Sequence, residues 1–153
     1  MSTGVVAKDD RLGQILAQAG FFCRMSPAQR DLVASMASIQ ALSPGHTIYK
    51  VGDGAQHLYV LMDGMVRFSL PMGQRQVTAG EIIRRGEVFG WAALIEGAQQ
   101  RIATASCISA CTALAIDGHR LIEEMSKDHS LGYAVMREVS LLVTSTLTAY
   151  AAG

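Results

Sequence analysis

From Ile39 to Gly90 the chain never runs far without a glycine turn. The stretch "SPGHTIYKVGDGAQHLYVLMDGMVRFSLPMGQRQVTAGEIIRRGEVFG" carries short runs rich in β-branched and aromatic residues. They are separated by Gly45, Gly52-Asp53-Gly54, Asp63-Gly64 and Met72-Gly73. Turn signals spaced roughly eight to twelve residues apart leave no room for a long helix and predict a small antiparallel barrel or sandwich. The segment "RIATASCISACTALAID" extends the pattern as a further strand region, apolar on both faces and therefore buried, ended by Asp117-Gly118.

Helical periodicity flanks this block. Leu12 to Ala19 reads as a short amphipathic helix stopped by Gly20. Ser26-Pro27 opens a second one, with serine as N-cap, proline at the first helical position and Leu32, Val33 and Met36 on the apolar side. After Arg120, "LIEEM" predicts a short helix and Leu131 to Tyr150 a long one. Leu131, Val135, Val139 and Leu142 form a stripe along the long helix, widened by Met136, Val143 and Leu147. The expected organisation is a single domain of 153 residues: an N-terminal helical segment over 1–38, a β-roll over 39–117 and C-terminal helices over 119–150. The fold class is mainly β with flanking helices, a β-roll or jelly-roll-like antiparallel barrel.

Charge and cysteine usage narrow the function. Thirteen basic residues balance thirteen acidic ones, so nothing draws the chain toward nucleic acid. The N-terminus places charges at Lys8 to Arg11 ahead of a short apolar stretch and is no signal peptide. Val139 to Gly153 lacks charge but is too short and too rich in Ser and Thr to span a membrane. Cys23, Cys107 and Cys111 show no CxxC spacing; Cys107 and Cys111 read as small apolar residues on one strand face. Reduced thiols of this kind suit the cytoplasm. His46, His57, His119 and His129 are scattered, so no metal site is expected. No nucleophile–base pair or carboxylate pair can be assembled, and catalysis is not expected.

From about Ile39 to Tyr150 the sequence resembles the cyclic-nucleotide-binding domains of catabolite-activator-type regulators, cAMP-dependent protein kinase and nucleotide-gated channels. "PGHTIYKVGD" (44–53) is similar to the family's P-G-x-x-I-x-x-x-G-D opening, and "LYVLMDGMVRFSL" (58–70) to its L-Y-x-[LIV]-x-x-G-x-V strand pair. "GEVFG" (86–90) and "RIATA" (101–105) resemble the borders of its phosphate-binding cassette. The resemblance implies a ligand site at Phe89, Gly90, Trp91, Ala92, Ala93, Arg101 and Ile102, taking cAMP, cGMP or a related phosphate-bearing effector, with no tightly held cofactor. Gly90 would permit a close backbone turn, the N–H groups of Ala92 and Ala93 would open a short helix facing the anion, and Arg101 would pair with it bidentately. The competing reading pairs Arg101 with Glu87 or Glu96. If the anion role holds, Arg101→Ala is expected to abolish binding and leave the fold largely intact.

Two positions depart from the pattern. Trp91 stands where the family has a glutamate accepting from the ribose 2′-hydroxyl, and its indole N–H can only donate. Ile102 stands where cAMP-binding members often have Ser or Thr. A ligand that is weak or altered, with the indole packing on base or sugar, and an emptied pocket filled by Trp91 both remain open, as does a purely core role. The chain also stops at Gly153, without the family's helix-turn-helix, so a stand-alone domain or a fragment is expected.

The functional expectation is therefore a regulatory sensor that signals by movement of its C-terminal helices. The alternative is a degenerate, ligand-free interaction module of the same fold, acting through the apolar last helix on another protein. In either case Leu131, Val135, Val139 and Leu142, spaced four, four and three, suggest a homodimer seam.

Overall fold

The computed structural model describes residues 10–97 and 99–152. The segment 1–9, which bears on the reading of the N-terminus, Ala98 within the cassette and Gly153 lie outside them, and burial is not described at Asp10, Arg11 or 150–152. The chain opens with α1 (Asp10–Gln18), a 3₁₀ turn at Gly20–Phe22 and α2 (Pro27–Ser35). The Ser26 cap forms as its sequence dictates: its hydroxyl accepts the Gln29 N–H at 3.1 Å, and the Gln29 side chain takes the Ser26 N–H at 3.0 Å.

Eight strands complete the sheets: β1 (Ala37–Leu42), β2 (Thr47–Tyr49), β3 (His57–Asp63), β4 (Val66–Met72), β5 (Arg75–Ile83), β6 (Val88–Phe89), β7 (Thr104–Cys107) and β8 (Cys111–Asp117). They make two four-stranded sheets, ordered β1-β8-β3-β6 and β2-β7-β4-β5, with every pairing antiparallel. The roll is as expected, but it does not close into a barrel.

Side chains from the two sheets meet in an inner core of Tyr59, Leu61, Val66, Phe89, Ala105, Cys107 and Ala113. The first sheet also buries its other face: Leu58, Val60, Leu114 and Ile116 pack with Leu12 and Leu16 of α1, Val33 of α2 and the last helices. A strand buried on both sides must be nearly continuous in apolar residues, which β8 is. The edge strand β5 is mostly exposed.

Three expectations need correction. The region 101–117 is not one strand but two, β7 and β8, which a turn carries from one sheet to the other without pairing them. Its turn, 108–110, is held by Ser109, whose hydroxyl accepts the Met65 N–H at 3.2 Å. Cys107 and Cys111 consequently sit on different strands rather than on one strand face, although both are buried. The third correction concerns the C-terminal helices, α3 (Gly118–Lys127) and α4 (His129–Ala152). Leu131, Val135 and Val139 are fully buried in the chain's own core, and Leu142 packs against it. The stripe is apolar because α4 covers the sheet and the N-terminal helices, so it cannot also be a dimer seam. What α4 exposes lies on its other side: Tyr133 at 73%, Leu141 at 55% and Leu147 at 63%. Among the described residues no helix is long and apolar enough to cross a membrane.

Candidate functional site

A cavity of about 470 Å³ opens between the cassette, the β4–β5 hairpin and the second half of α4. Its walls combine Phe68, Ile82 and Ile83 with Phe89, Gly90, Trp91, Ala92, Arg101 and Ile102, and α4 closes it with Glu138, Leu141, Leu142, Ser145, Thr146 and Ala149. Six of the seven expected ligand residues therefore come together. Ala93 does not; it is 1% exposed and packs inward with Ala55 and Ala92.

The backbone conformation at Gly90 explains why glycine stands there. Its φ is +83°, and a Cβ would meet Arg101 Nη1, the His57 carbonyl and Tyr59 Cδ2, each at 3.1 Å. The next residues, Trp91–Leu94, form a four-residue 3₁₀ turn rather than a helix with a useful dipole. The Ala93 N–H is spent inside it on the Gly90 carbonyl at 3.3 Å. The expected anion-binding helix start at Ala92 and Ala93 is thus not present in that form.

Arg101 is the chemical centre of the cavity. It is 5% exposed, the sole buried charged side chain among the described residues. Nη1 donates to the Gly90 carbonyl at 2.9 Å and Nη2 to the His57 carbonyl at 2.7 Å. The guanidinium lies 4.0 Å from the centre of the Tyr49 ring. Nε, also buried, has no hydrogen-bond partner. Burial lowers the Arg101 pKa from its usual value, opposed by the phenols of Tyr49 and Tyr59 and the carboxylate of Asp53. Burial likewise raises that of Tyr59, and Arg101 opposes the rise.

The expected carboxylate partners are engaged elsewhere or absent. Glu87 accepts the Arg84 N–H at 2.7 Å, and no ion pair among the described residues includes Arg101 or Glu96. Arg101 is anchored to the fold by backbone carbonyls and a ring, while its charge has no directly paired acid.

Trp91 packs partly against the core, beside Ala92 and Ala93, and also faces the cavity. Half-buried, it lines the cavity and donates from Nε1 to Thr146 Oγ1 at 3.4 Å, tying the cassette to α4. Ile102 is 45% exposed at the cavity mouth. Tyr49, Thr146 and Glu138 were not singled out in the sequence. Tyr49 lies in the "PGHTIYK" motif, but nothing local announces that it meets an arginine 52 positions away.

Comparison with known proteins agrees with this fold. The family model described as "Cyclic nucleotide-binding domain" matches residues 39–128. A cGMP-dependent protein kinase of Toxoplasma gondii is 32% identical over 82 residues, covering 54% of this chain. The chain spans only 8% of that relative's length. Among solved structures, a cyclic nucleotide-binding domain from Methylobacillus flagellatus superposes with a TM-score of 0.76 at 15% identity, covering 95% of this chain and 81% of that one. The regulatory domain of Toxoplasma gondii PKA, crystallised with cAMP, gives a TM-score of 0.74 at 18% identity over 87% of this chain and 50% of that one. At such identities the two structures speak for the fold, whereas the matched model covers more than half of the sequence. The chain belongs to the cyclic nucleotide-binding domain family.

Proposed function

We propose that the chain is a regulatory sensor domain whose cavity binds a cyclic nucleotide of the cAMP or cGMP kind, or a closely related phosphate-bearing effector. The observation that carries this reading is Arg101: a buried guanidinium without a paired carboxylate and with Nε unpartnered, in the wall of a ligand-sized cavity. A buried charge lacking a counter-charge is costly to keep, and a phosphodiester brought against the guanidinium would offset that cost.

The output would be a population shift in α4. A ligand in this cavity touches the cassette and the segment Leu141–Ala149 at once, and so favours whichever placement of α4 gives it the better contacts. The Trp91–Thr146 bond is the direct tie that such a shift would remake. Titration calorimetry with cAMP, cGMP and cyclic dinucleotides tests the reading. Heat with one of them, lost in Arg101→Ala, supports it; silence from all at millimolar concentration rejects it.

A second reading has its own support. Arg101 already donates to two carbonyls and stacks on Tyr49, and Trp91 already has Thr146, so much of the site is satisfied from within. That is the pattern of a ligand-free interaction module, and failure of every nucleotide to bind would select it. Self-association, under either reading, moves to the outer face of α4 carrying Tyr133 and Leu147. Sedimentation of the wild type and Leu147→Glu across micromolar concentrations tests it, since Leu147 does not line the cavity.

A further inference from the structure

We infer that Tyr49 is a positioning residue for the ligand's anion: its ring, in place of a carboxylate, holds the Arg101 guanidinium in the cavity wall. The inference rests on the cavity being a cyclic-nucleotide site and deepens that reading by naming what presents its cation.

Tyr49 is the last residue of β2, and the pairing of β2 with β7 is irregular between Thr47 and Tyr49. Such irregularities re-aim a side chain, and this ring lies with its centre 4.0 Å from the guanidinium carbon. Two buried rings back it. Its centre is 6.1 Å from that of Tyr59 and 6.4 Å from that of Phe89, and those two stack on each other at 5.1 Å and 14°. Tyr59 and Phe89 are register partners of β3 and β6, so the aromatic shelf is fixed to the first sheet.

Ring and carbonyls restrain the guanidinium in different ways. The Gly90 and His57 carbonyls hold Nη1 and Nη2 at its edge. A carbonyl accepts over a broad range of directions, so two of them leave the plane able to tilt about the line that joins them. A ring against one face removes that freedom. The choice of a ring over an acid also matters for the ligand. A carboxylate would neutralise the guanidinium and occupy the fork that a phosphodiester needs. The ring quadrupole attracts the cation without supplying a counter-charge. No ion pair among the described residues includes Arg101, and Tyr49 and Arg101 both line the cavity.

Calorimetry on the whole chain tests this with whichever of cAMP and cGMP binds the wild type more tightly, and with its uncharged methyl phosphotriester. The wild type should prefer the charged form. Tyr49→Leu should cut that preference about tenfold, by weakening the charged ligand and leaving the triester nearly unaffected. Tyr49→Phe should stay within about threefold of the wild type, since the ring and not its hydroxyl acts. A fluorinated phenylalanine at position 49 keeps the shape of that ring while depleting its negative face, and should fall with Tyr49→Leu. If Tyr49→Leu weakens both ligands alike, or the fluorinated ring binds as Tyr49→Phe does, Tyr49 only fills space. The inference then fails while the cyclic-nucleotide reading stands. Where Tyr49→Leu does not fold, or the triester binds too weakly to measure, the comparison of Tyr49→Phe with the fluorinated ring decides alone. No binding of either nucleotide to wild-type protein shown folded by circular dichroism overturns the cyclic-nucleotide reading, and this inference with it.

Discussion

Removing Arg101 should cost the unliganded protein a substantial part of its stability. The side chain is only 5% exposed and makes two charged hydrogen bonds to carbonyls, at 2.9 and 2.7 Å, besides its contact with Tyr49. Charged hydrogen bonds contribute about 1.5–3 kcal/mol each and a partly desolvated cation–π contact about 1–2 kcal/mol. The guanidinium's own desolvation offsets several kcal/mol of that sum. About 3 kcal/mol is left for Arg101→Ala, or a fall in Tm of roughly 6–12 °C at about 2–4 °C per kcal/mol for a chain of this size. This replaces the expectation that the fold would survive the change largely intact. Thermal unfolding by circular dichroism without nucleotide measures it, and Arg101→Lys, which keeps the charge but not the planar fork, should lose nearly as much. A fall below about 2 °C for Arg101→Ala would refute the reasoning, since an arginine contributing so little to the fold would be held only for its ligand.

Asp128 caps α4, accepting from Gln29 Nε2, the Ser130 hydroxyl and the N–H groups of Ser130 and Leu131. These bonds, that from Gln29 first, hold its carboxyl below the usual aspartate value. The stability it lends is present above that usual value and lost as pH falls through the lower, folded one. Urea midpoints for Asp128→Asn should accordingly lie below wild type at pH 7, with the gap closing as the pH falls below the usual aspartate range. Of the three thiols, Cys23 is exposed while Cys107 and Cys111 are buried, and burial together with a hydrogen bond to Cys111 pushes Cys107 up to about 12. A disulfide reagent at pH 8 should count one thiol in the native protein and three in denaturant. Val139→Glu puts a carboxylate into a site only 1% exposed and should unfold the chain; a folded variant that had merely lost self-association would restore the Leu131–Leu142 stripe as a dimer seam.

Much of the architecture was legible because it is written locally. Ser26 with Gln29, Gly64 and Gly73 in their turns, and Asp117 before Gly118 each fix a boundary through a cap or a positive φ that needs only neighbours in sequence. The 108–110 turn escaped because "CISAC" contains neither glycine nor proline, and its fastening, Ser109 to the Met65 N–H, is a contact across 44 positions. The Leu131 stripe was correctly apolar and wrongly interpreted. Periodicity says which face of a helix is buried and is silent on whether the same chain or another buries it. At the site, the cassette residues declared themselves through the "GEVFG" and "RIATA" borders, whereas the partners of Arg101 did not, because two of them are backbone carbonyls and carbonyls have no sequence signature.

The division within α4 constrains how any signal could leave the cavity. Its first half presents Leu131, Val135 and Val139 to the core, with none more than 1% exposed. Displacing that half would empty three filled positions, each worth several kcal/mol as a cavity, more than differential ligand binding ordinarily supplies. Its second half is different. From Leu141 onward the described side chains are exposed or only partly buried, and five of them line the cavity. The bond from Trp91 to Thr146 falls in this half, and at 3.4 Å it is a long one, cheap to break and remake. A ligand that rearranges the cassette can therefore move α4 beyond Val139 at modest cost, while the turns before it stay fixed to the sheet. If a ligand acts in this way, the pivot it would use lies near Val139–Leu142, where the helix leaves the core and lines the cavity.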